Sequence, residues 1–145
     1  MNTLLKASRF FPVLLICAAS LACGKSGTPL GEMAPVSGKV TVDGQPVTSG
    51  QVSLIPTDAS ISTGGSVCAG TIDSSGNYVI NTAGKTGAPL GKYKITVTVS
   101  MVPTGDSKMP TAPFHSKFSD QAKTPLTFTV EANPQPGAYD LKMTK

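Results

Sequence analysis

The chain of 145 residues has the length of a single domain, and about 100 to 120 residues suffice to bury one modest hydrophobic core. Fifteen glycines, twelve prolines, 6% aromatic residues and no tryptophan favour short strands joined by turns over long packed helices. The net charge is +4, but Arg9 is the only arginine and the lysines form no basic run, which argues against nucleic acid as a partner.

The first 22 residues have the three parts of a signal peptide. MNTLLKASR carries two positive charges and no acid, and FFPVLLICAASLA adds an apolar run that ends in small side chains. A transmembrane helix needs about 20 apolar residues, and Pro12 near the start of the run further disfavours that alternative. Residues 1–22 are therefore predicted to be removed, which leaves ten lysines against eight acidic residues.

The junction SLAC, from Ser20 to Cys23, resembles the lipobox of bacterial lipoproteins. In that family a peptidase cuts before the cysteine, whose thiol carries diacylglycerol and whose new amino group is often acylated. The family usually has leucine three positions before the cysteine and a small residue two positions before it, where this chain has Ser20 and Leu21. The resemblance implies lipidation at Cys23. SLA also satisfies the small-x-small rule of ordinary signal peptidase, so the alternative is a secreted or periplasmic protein that begins with Cys23.

Residues 23–35 are predicted to link the anchor to the folded domain. GKSGTPLGEMAP is rich in glycine, proline and small polar residues, a composition typical of flexible tethers. Two acyl chains hold a protein stably at a membrane, whereas one chain binds marginally. We therefore expect a protein of the bacterial envelope that faces outside the cytoplasm. Its expected partners are the membrane, through the lipid, and an envelope protein or glycan.

Residues 36–145 are predicted to form one all-β domain of seven strands, because polar and apolar residues alternate in short bursts between turn signals. Asp43-Gly44 supplies one tight turn, since glycine adopts positive φ without steric cost. The clearest alternation places Tyr93, Ile95 and Val97 on one face of the longest strand. The predicted strands are residues 36–42, 51–55, 66–72, 78–82, 92–102, 126–130 and 139–143.

Three segments of this domain, GKVTVDGQPVTSGQVSLIP, AGTIDSSGNYVI and GAPLGKYKITVTV, resemble the repeated signature of carboxypeptidase regulatory-like domains. The later PFHSKFSDQAKTPLTFTVE resembles the tail of small bacterial lipoproteins of this type. The resemblance covers nearly all of residues 36–99. It implies a seven-stranded transthyretin-like, or prealbumin-like, Greek-key β-sandwich. It implies little about activity, because such sandwiches have many roles.

The candidates for chemistry all have structural alternatives. His115 is the only histidine, and no cysteine or second histidine stands near it, so we expect it to face solvent or pack within its loop. The turn at residues 73–77 resembles a calcium loop loosely but lacks the carboxylates and distal glutamate, which favours turn capping. Cys68 has no neighbouring cation to lower its pKa and is expected to be a small buried hydrophobe. No catalytic residue, metal or cofactor is predicted.

Two functional alternatives belong to the same fold class. Hydroxyisourate hydrolases resemble transthyretin, use several histidines and an arginine, and end in Tyr-Arg-Gly-Ser, whereas this chain ends in LKMTK. Carbohydrate-binding sandwiches stack sugars on exposed aromatic rings, but Tyr78, Tyr93 and Tyr139 are predicted to face inward. A polar groove of asparagine, threonine and lysine is the remaining route to glycan binding.

Residues 103–125 lack periodicity, contain four prolines and are predicted to form a long loop. Phe114 and Phe118 are expected to pin this loop onto the domain. The loop is longer than a connection requires, so we predict that it contributes the main interaction surface of a non-enzymatic envelope module. The residues proposed to make that surface are Lys108, His115, Lys117 and Lys123.

Overall fold

The computed structural model describes residues 28–99 and 112–145, and there the protein is all-β. Residues 1–22, Cys23 and Lys108, to which the sequence assigns roles, lie outside these ranges. One short 3-10 helix, Ser116–Ser119, is present in the described part. The strands are β1 Met33–Ala34, β2 Ser37–Val42, β3 Gln45–Pro46, β4 Gly50–Pro56, β5 Cys68–Ile72, β6 Asn77–Val79, β7 Asn81–Thr82, β8 Lys85–Thr86, β9 Ala88–Pro89, β10 Gly91–Thr98, β11 Thr127–Val130 and β12 Leu141–Met143.

Ten of these strands form one sheet, in which β11, β10, β4, β5, β6, β2 and β12 are neighbours in that order. Strand β12 runs parallel to β2, whereas the other described pairs are antiparallel. The longest contact is between β4 and β10, where Leu54 lies opposite Ile95 and Val52 opposite Val97. Strands β1 and β9 form a separate antiparallel pair.

Alternation of apolar and polar residues determines which face of the sheet is buried. On β10, Tyr93, Ile95 and Val97 are fully buried, while Lys92 and Thr98 are exposed. Burying a side chain of this size contributes roughly 1.5 to 3 kcal/mol relative to leaving it exposed. The same pattern on β2, β4, β5, β6 and β12 completes one hydrophobic core.

The Asp43-Gly44 turn forms the predicted hairpin between β2 and β3. Its two residues have φ values of 48° and 83°, and two successive positive φ angles are characteristic of the type I′ turn. That turn matches the right-handed twist of the flanking strands, so Val42 pairs with Gln45 directly across it.

The all-β prediction is confirmed, and each predicted strand overlaps an observed one. All seven differ from the observed strands at one end or both. The strand predicted at 78–82 is divided into β6 and β7 at Ile80, whose N–H donates to Val36 O at 2.9 Å and whose carbonyl accepts from Gly87 N at 2.7 Å. The strand predicted at 92–102 ends at Thr98, and residues 100–102 lie outside the described ranges. Strand β12 begins at Leu141 because the preceding residues form a turn.

Part of the predicted tether is folded. Leu30 forms a β-bridge with Thr63, and β1 pairs with β9 through Ala34 and Ala88. Ala34 is 2% exposed, so this segment contributes to the core. Ordered contacts therefore begin before Val36, where the sequence predicts a flexible link. Short strands of two residues carry too little alternation to be recognised in a sequence.

The sheet curls so that its two ends meet. Phe128 of β11 lies with its ring centroid 4.8 Å from that of Tyr139, which precedes β12. The Tyr139 hydroxyl accepts a hydrogen bond from Glu131 N at 3.2 Å. On the other side, the Tyr78 hydroxyl of β6 donates to Tyr139 O at 2.6 Å. Tyr139 therefore joins the strands at both ends of the sheet order.

The domain has two poles, which we name for the chain ends nearest them. The N-terminal pole comprises residues 28–31, the loop 57–66 and the start of β10, joined by bonds such as Gly31 N to Ser62 O at 2.9 Å and Thr57 N to Lys92 O at 3.0 Å. The C-terminal pole comprises the Asp43-Gly44 turn, the turn at 73–77 and the end of β12. Asp43 N donates to Met143 O there at 3.0 Å.

Candidate functional site

The segment 112–126, which we call the strap, contains the described part of the predicted interaction loop. Phe114 and Phe118 are 5% and 4% exposed, and their rings meet edge to face with centroids 6.3 Å apart. The expectation that these two rings pin the loop onto the domain is therefore confirmed. The one-turn helix Ser116–Ser119 buries Phe118, and Phe114 is buried just before it, whereas His115 and Ser116 between the two rings are exposed.

The strap also covers an edge of the sheet. Strand β11 pairs with β10 only as far as Lys94, and the strap runs beside the rest of β10. Thr124 Oγ1 donates to Ile95 O at 2.7 Å, and Ser119 Oγ donates to Val97 O at 2.8 Å. Two side-chain hydroxyls thus occupy carbonyls that a neighbouring strand would otherwise bind. An exposed strand edge invites pairing with another chain, and this covering blocks it.

The histidine and the two described lysines of the strap have local partners. His115 is exposed, as predicted, and its Nδ1 accepts a hydrogen bond from Lys117 N at 3.1 Å. Lys117 Nζ lies 4.9 Å from the centroid of the Phe118 ring. Lys123 Nζ lies 3.2 Å from Asp120 Oδ2. A hydrogen bond from Ala122 N and the neighbouring Lys123 lower the pKa of Asp120, so this carboxylate is ionised at neutral pH.

These residues do not converge on one cavity. His115 lies with Ala112, Pro113, Phe114 and Lys145 around an open hollow of about 360 Å³ at the C-terminal pole. Lys117 and Lys123 are not among its lining residues. Within residues 28–99 and 112–145, no group of three or more His, Cys, Asp and Glu is arranged to hold a metal ion. What the strap presents outward is a set of separate polar side chains on a firmly packed segment.

The turn at residues 73–77 is a capped turn, as expected. Asp73 Oδ1 accepts from Ser75 N at 2.8 Å and from Asn77 N at 2.9 Å, and Oδ2 accepts from Asn77 Nδ2 at 3.2 Å. These hydrogen bonds, led by that from the Asn77 backbone, lower the pKa of Asp73. The carboxylate oxygens are therefore used in holding the turn between β5 and β6.

Cys68 is buried, in agreement with the sequence analysis. Its side chain is 1% exposed within the core, and burial raises the pKa of the thiol. A raised pKa keeps the sulfur protonated at neutral pH and lowers its nucleophilicity. Cys68 therefore packs as a small hydrophobic side chain.

The three tyrosines all face the core, as the alternation predicts. Tyr78, Tyr93 and Tyr139 are 1%, 0% and 4% exposed. Burial raises the pKa of Tyr78 and of Tyr93, so both hydroxyls remain protonated donors. Tyr93 donates to Pro89 O at 2.8 Å, where β9 precedes β10. None of these rings is available for stacking against a sugar.

Comparison with protein-family models, with curated proteins and with solved structures finds no match to this chain. In the part of the chain that the structure describes, no helix is long and apolar enough to cross a membrane.

Proposed function

We propose that the protein is a lipoprotein of the bacterial envelope, anchored through Cys23, with a non-enzymatic β-module for structural or protein-interaction roles outside the cytoplasm. The observation that carries the proposal is the SLAC junction at the end of an apolar leader. The junction lies only a few residues before the chain binds the folded domain, so a lipid on Cys23 would hold the domain close to the membrane. Ser62 Oγ donates to Pro29 O, and Gly31 N donates to Ser62 O.

The strap supports an interaction role at the C-terminal pole. Its inner residues hold the segment rigidly against the core, whereas His115 and Lys123 are exposed on its outer side. A surface that is ordered before binding loses less conformational entropy when a partner binds. We propose that His115, Lys117 and Lys123 of the strap contribute to this surface, together with Lys108, which lies outside the described residues.

The module itself is proposed to be a transthyretin-like Greek-key sandwich of the carboxypeptidase regulatory-like type. The neighbour order β10, β4, β5, β6 supports this, since β10 returns from a long connection to lie beside the first of three strands. The contact between Phe128 and Tyr139, which brings together the two ends of the sheet, also supports a closed sandwich.

Fractionation of cells tests the anchor. Cys23→Ala is expected to move the protein from the membrane fraction to the soluble fraction, because it removes the thiol that carries the lipid. Cys17→Ala is the matched control, since it changes a cysteine within the leader, and it should leave the protein in the membrane fraction. A Cys23→Ala protein that stays membrane-bound would contradict the proposal.

A further inference from the structure

We infer that the N-terminal pole of the domain faces the phospholipid headgroups of the anchoring membrane, and that the strap at the C-terminal pole points away from them. This inference rests on the proposed lipidation at Cys23. It follows from how short the link is and from where the chain first binds the domain.

The link between anchor and domain is short. Five peptide units separate Cys23 from Thr28, the first described residue, and a fully extended chain of that length spans at most about 18 Å. The point at which the chain joins the domain is therefore held within about 18 Å of the lipid-bearing residue, whatever conformation the link adopts.

From Thr28 onward the chain contacts the domain directly. Leu30 forms a bridge with Thr63, and Gly31 N donates to Ser62 O at 2.9 Å. Gly64 has a φ of +63°, and a Cβ atom there would lie 2.9 Å from Thr28 O, so the two segments are in close contact. The loop 57–66 is therefore held as close to the lipid-bearing Cys23 as residues 28–31 are.

The opposite pole is free to be much farther away. Strand β10 contains eight residues and runs from the N-terminal pole at Gly91 to the C-terminal pole at Thr98. At the rise of an extended strand this is about 24 Å, so the C-terminal pole reaches at most about 42 Å from the anchor, when the domain stands upright on an extended link.

The chemistry of the N-terminal pole suits a headgroup layer. The loop 57–66, TDASISTGGS, has five hydroxyl side chains. Those of Thr57 and Ser62 donate to backbone carbonyls of the domain, which leaves the other three to hydrogen-bond to phosphate and ester oxygens. Its one charge, Asp58, accepts a hydrogen bond from Ser60 N at 2.8 Å within the loop. Val67, 72% exposed, adds an apolar side chain next to the loop. Charges of both signs lie at this pole; the residues are Glu32, Asp58, Lys85, Lys92 and Glu131.

The strap lies at the other end. His115 N donates to Thr144 O at 3.3 Å, and Ser119 Oγ bonds the carbonyl of Val97 near the end of β10. The anchor therefore presents the outer side of the strap to soluble or envelope partners rather than to lipid.

Fluorescence quenching by lipid tests this orientation. Ser60→Cys and Ser74→Cys each place a reactive thiol on an exposed position, one at each pole, while Cys68 is buried and Cys23 carries lipid. Each lipidated variant, purified from membranes and labelled with one fluorophore, is incorporated into phosphatidylcholine and phosphatidylglycerol vesicles that contain a headgroup-linked quencher. The Ser60 probe should be quenched about twofold or more strongly than the Ser74 probe, given the distances of the two poles.

A matched variant lengthens the link. Inserting about 20 glycine and serine residues between Gly27 and Thr28 should reduce the difference between the two probes, because the domain then rotates freely. Protein that does not float with vesicles would overturn the lipidation and this orientation together. Protein that floats but shows equal quenching, or stronger quenching at Ser74, would overturn the orientation while leaving the lipidation intact.

Discussion

Tyr139 is the residue at which both ends of the curled sheet are joined, and the Tyr78 hydroxyl is the group that bonds its carbonyl. That bond is 2.6 Å long and buried. Burial and the nearby Asp140 charge raise the pKa of Tyr78, so the hydroxyl stays a donor through the ordinary pH range. Deprotonation therefore does not break this bond at neutral pH.

Replacing Tyr78 by phenylalanine is expected to lower the free energy of unfolding by about 1 to 2 kcal/mol, because Tyr139 O is left buried without this donor. Urea unfolding monitored by circular dichroism measures this. Val79→Ala, at the neighbouring position that is 45% exposed, is the matched control and should change stability little. Equal stability of the Tyr78→Phe variant and the native protein would contradict the role given to this bond.

The direction of the tyrosine rings could be predicted from the sequence, but their hydrogen bonds could not. Alternation along a strand determines which side chains face inward, and Tyr93 follows it. The partner of Tyr78 lies 61 residues away in the chain, and no local pattern reports such a contact. The buried state of Cys68 could be anticipated because it has no charged neighbour that would favour exposure.

Substitutions on the inner and the outer side of the strap are expected to change the free energy of unfolding by different amounts. Phe118→Ala should lower the free energy of unfolding by about 3 to 5 kcal/mol, since it leaves a cavity against β10 and releases the cap on its edge. Thermal and urea denaturation measure the loss. An unchanged melting temperature would mean that the strap is not part of the folded core.

The matched control changes lysines instead of the buried rings. Replacing Lys117 and Lys123 of the strap, together with Lys108, by serine should leave stability nearly unchanged, because exposed charges on the strap contribute about 0 to 1 kcal/mol each. The Lys123 pair with Asp120 is such a case, with the lysine side chain 73% exposed. The same variant is expected to bind envelope extract more weakly, and undiminished binding would place the interaction surface elsewhere.

Among the strands, the longer ones could be predicted, whereas four strands of two residues could not. Strand β10 carries enough alternating residues to be recognised, whereas β1, β3, β8 and β9 have two residues each. The division of the strand predicted at 78–82 depends on Ile80 bonding to Val36 and Gly87. The hydroxyl caps on β10 come from Ser119 and Thr124, in a chain rich in serine and threonine, so composition alone does not single them out.

For the whole molecule, the sequence predicts the order of leader, tether and β-domain, but not where the domain begins. Leu30 and Ala34 lie in a stretch with the composition of a linker, yet both contact the domain. Contacts between β1 and β9 join residues more than 50 positions apart, which local composition does not reveal. If Cys23 carries lipid as proposed, this early start leaves a short link between anchor and domain, and the proposed orientation of the domain follows from it.

Intact-mass analysis of the protein extracted from membranes tests the central claim most directly. We predict a chain that begins at Cys23 and carries the added mass of a diacylglyceryl group, with or without an amide-linked acyl chain on the new amino group. A membrane-extracted or secreted chain that begins at Cys23 with no added mass would contradict the lipid anchor, and with it the proposed orientation of the domain.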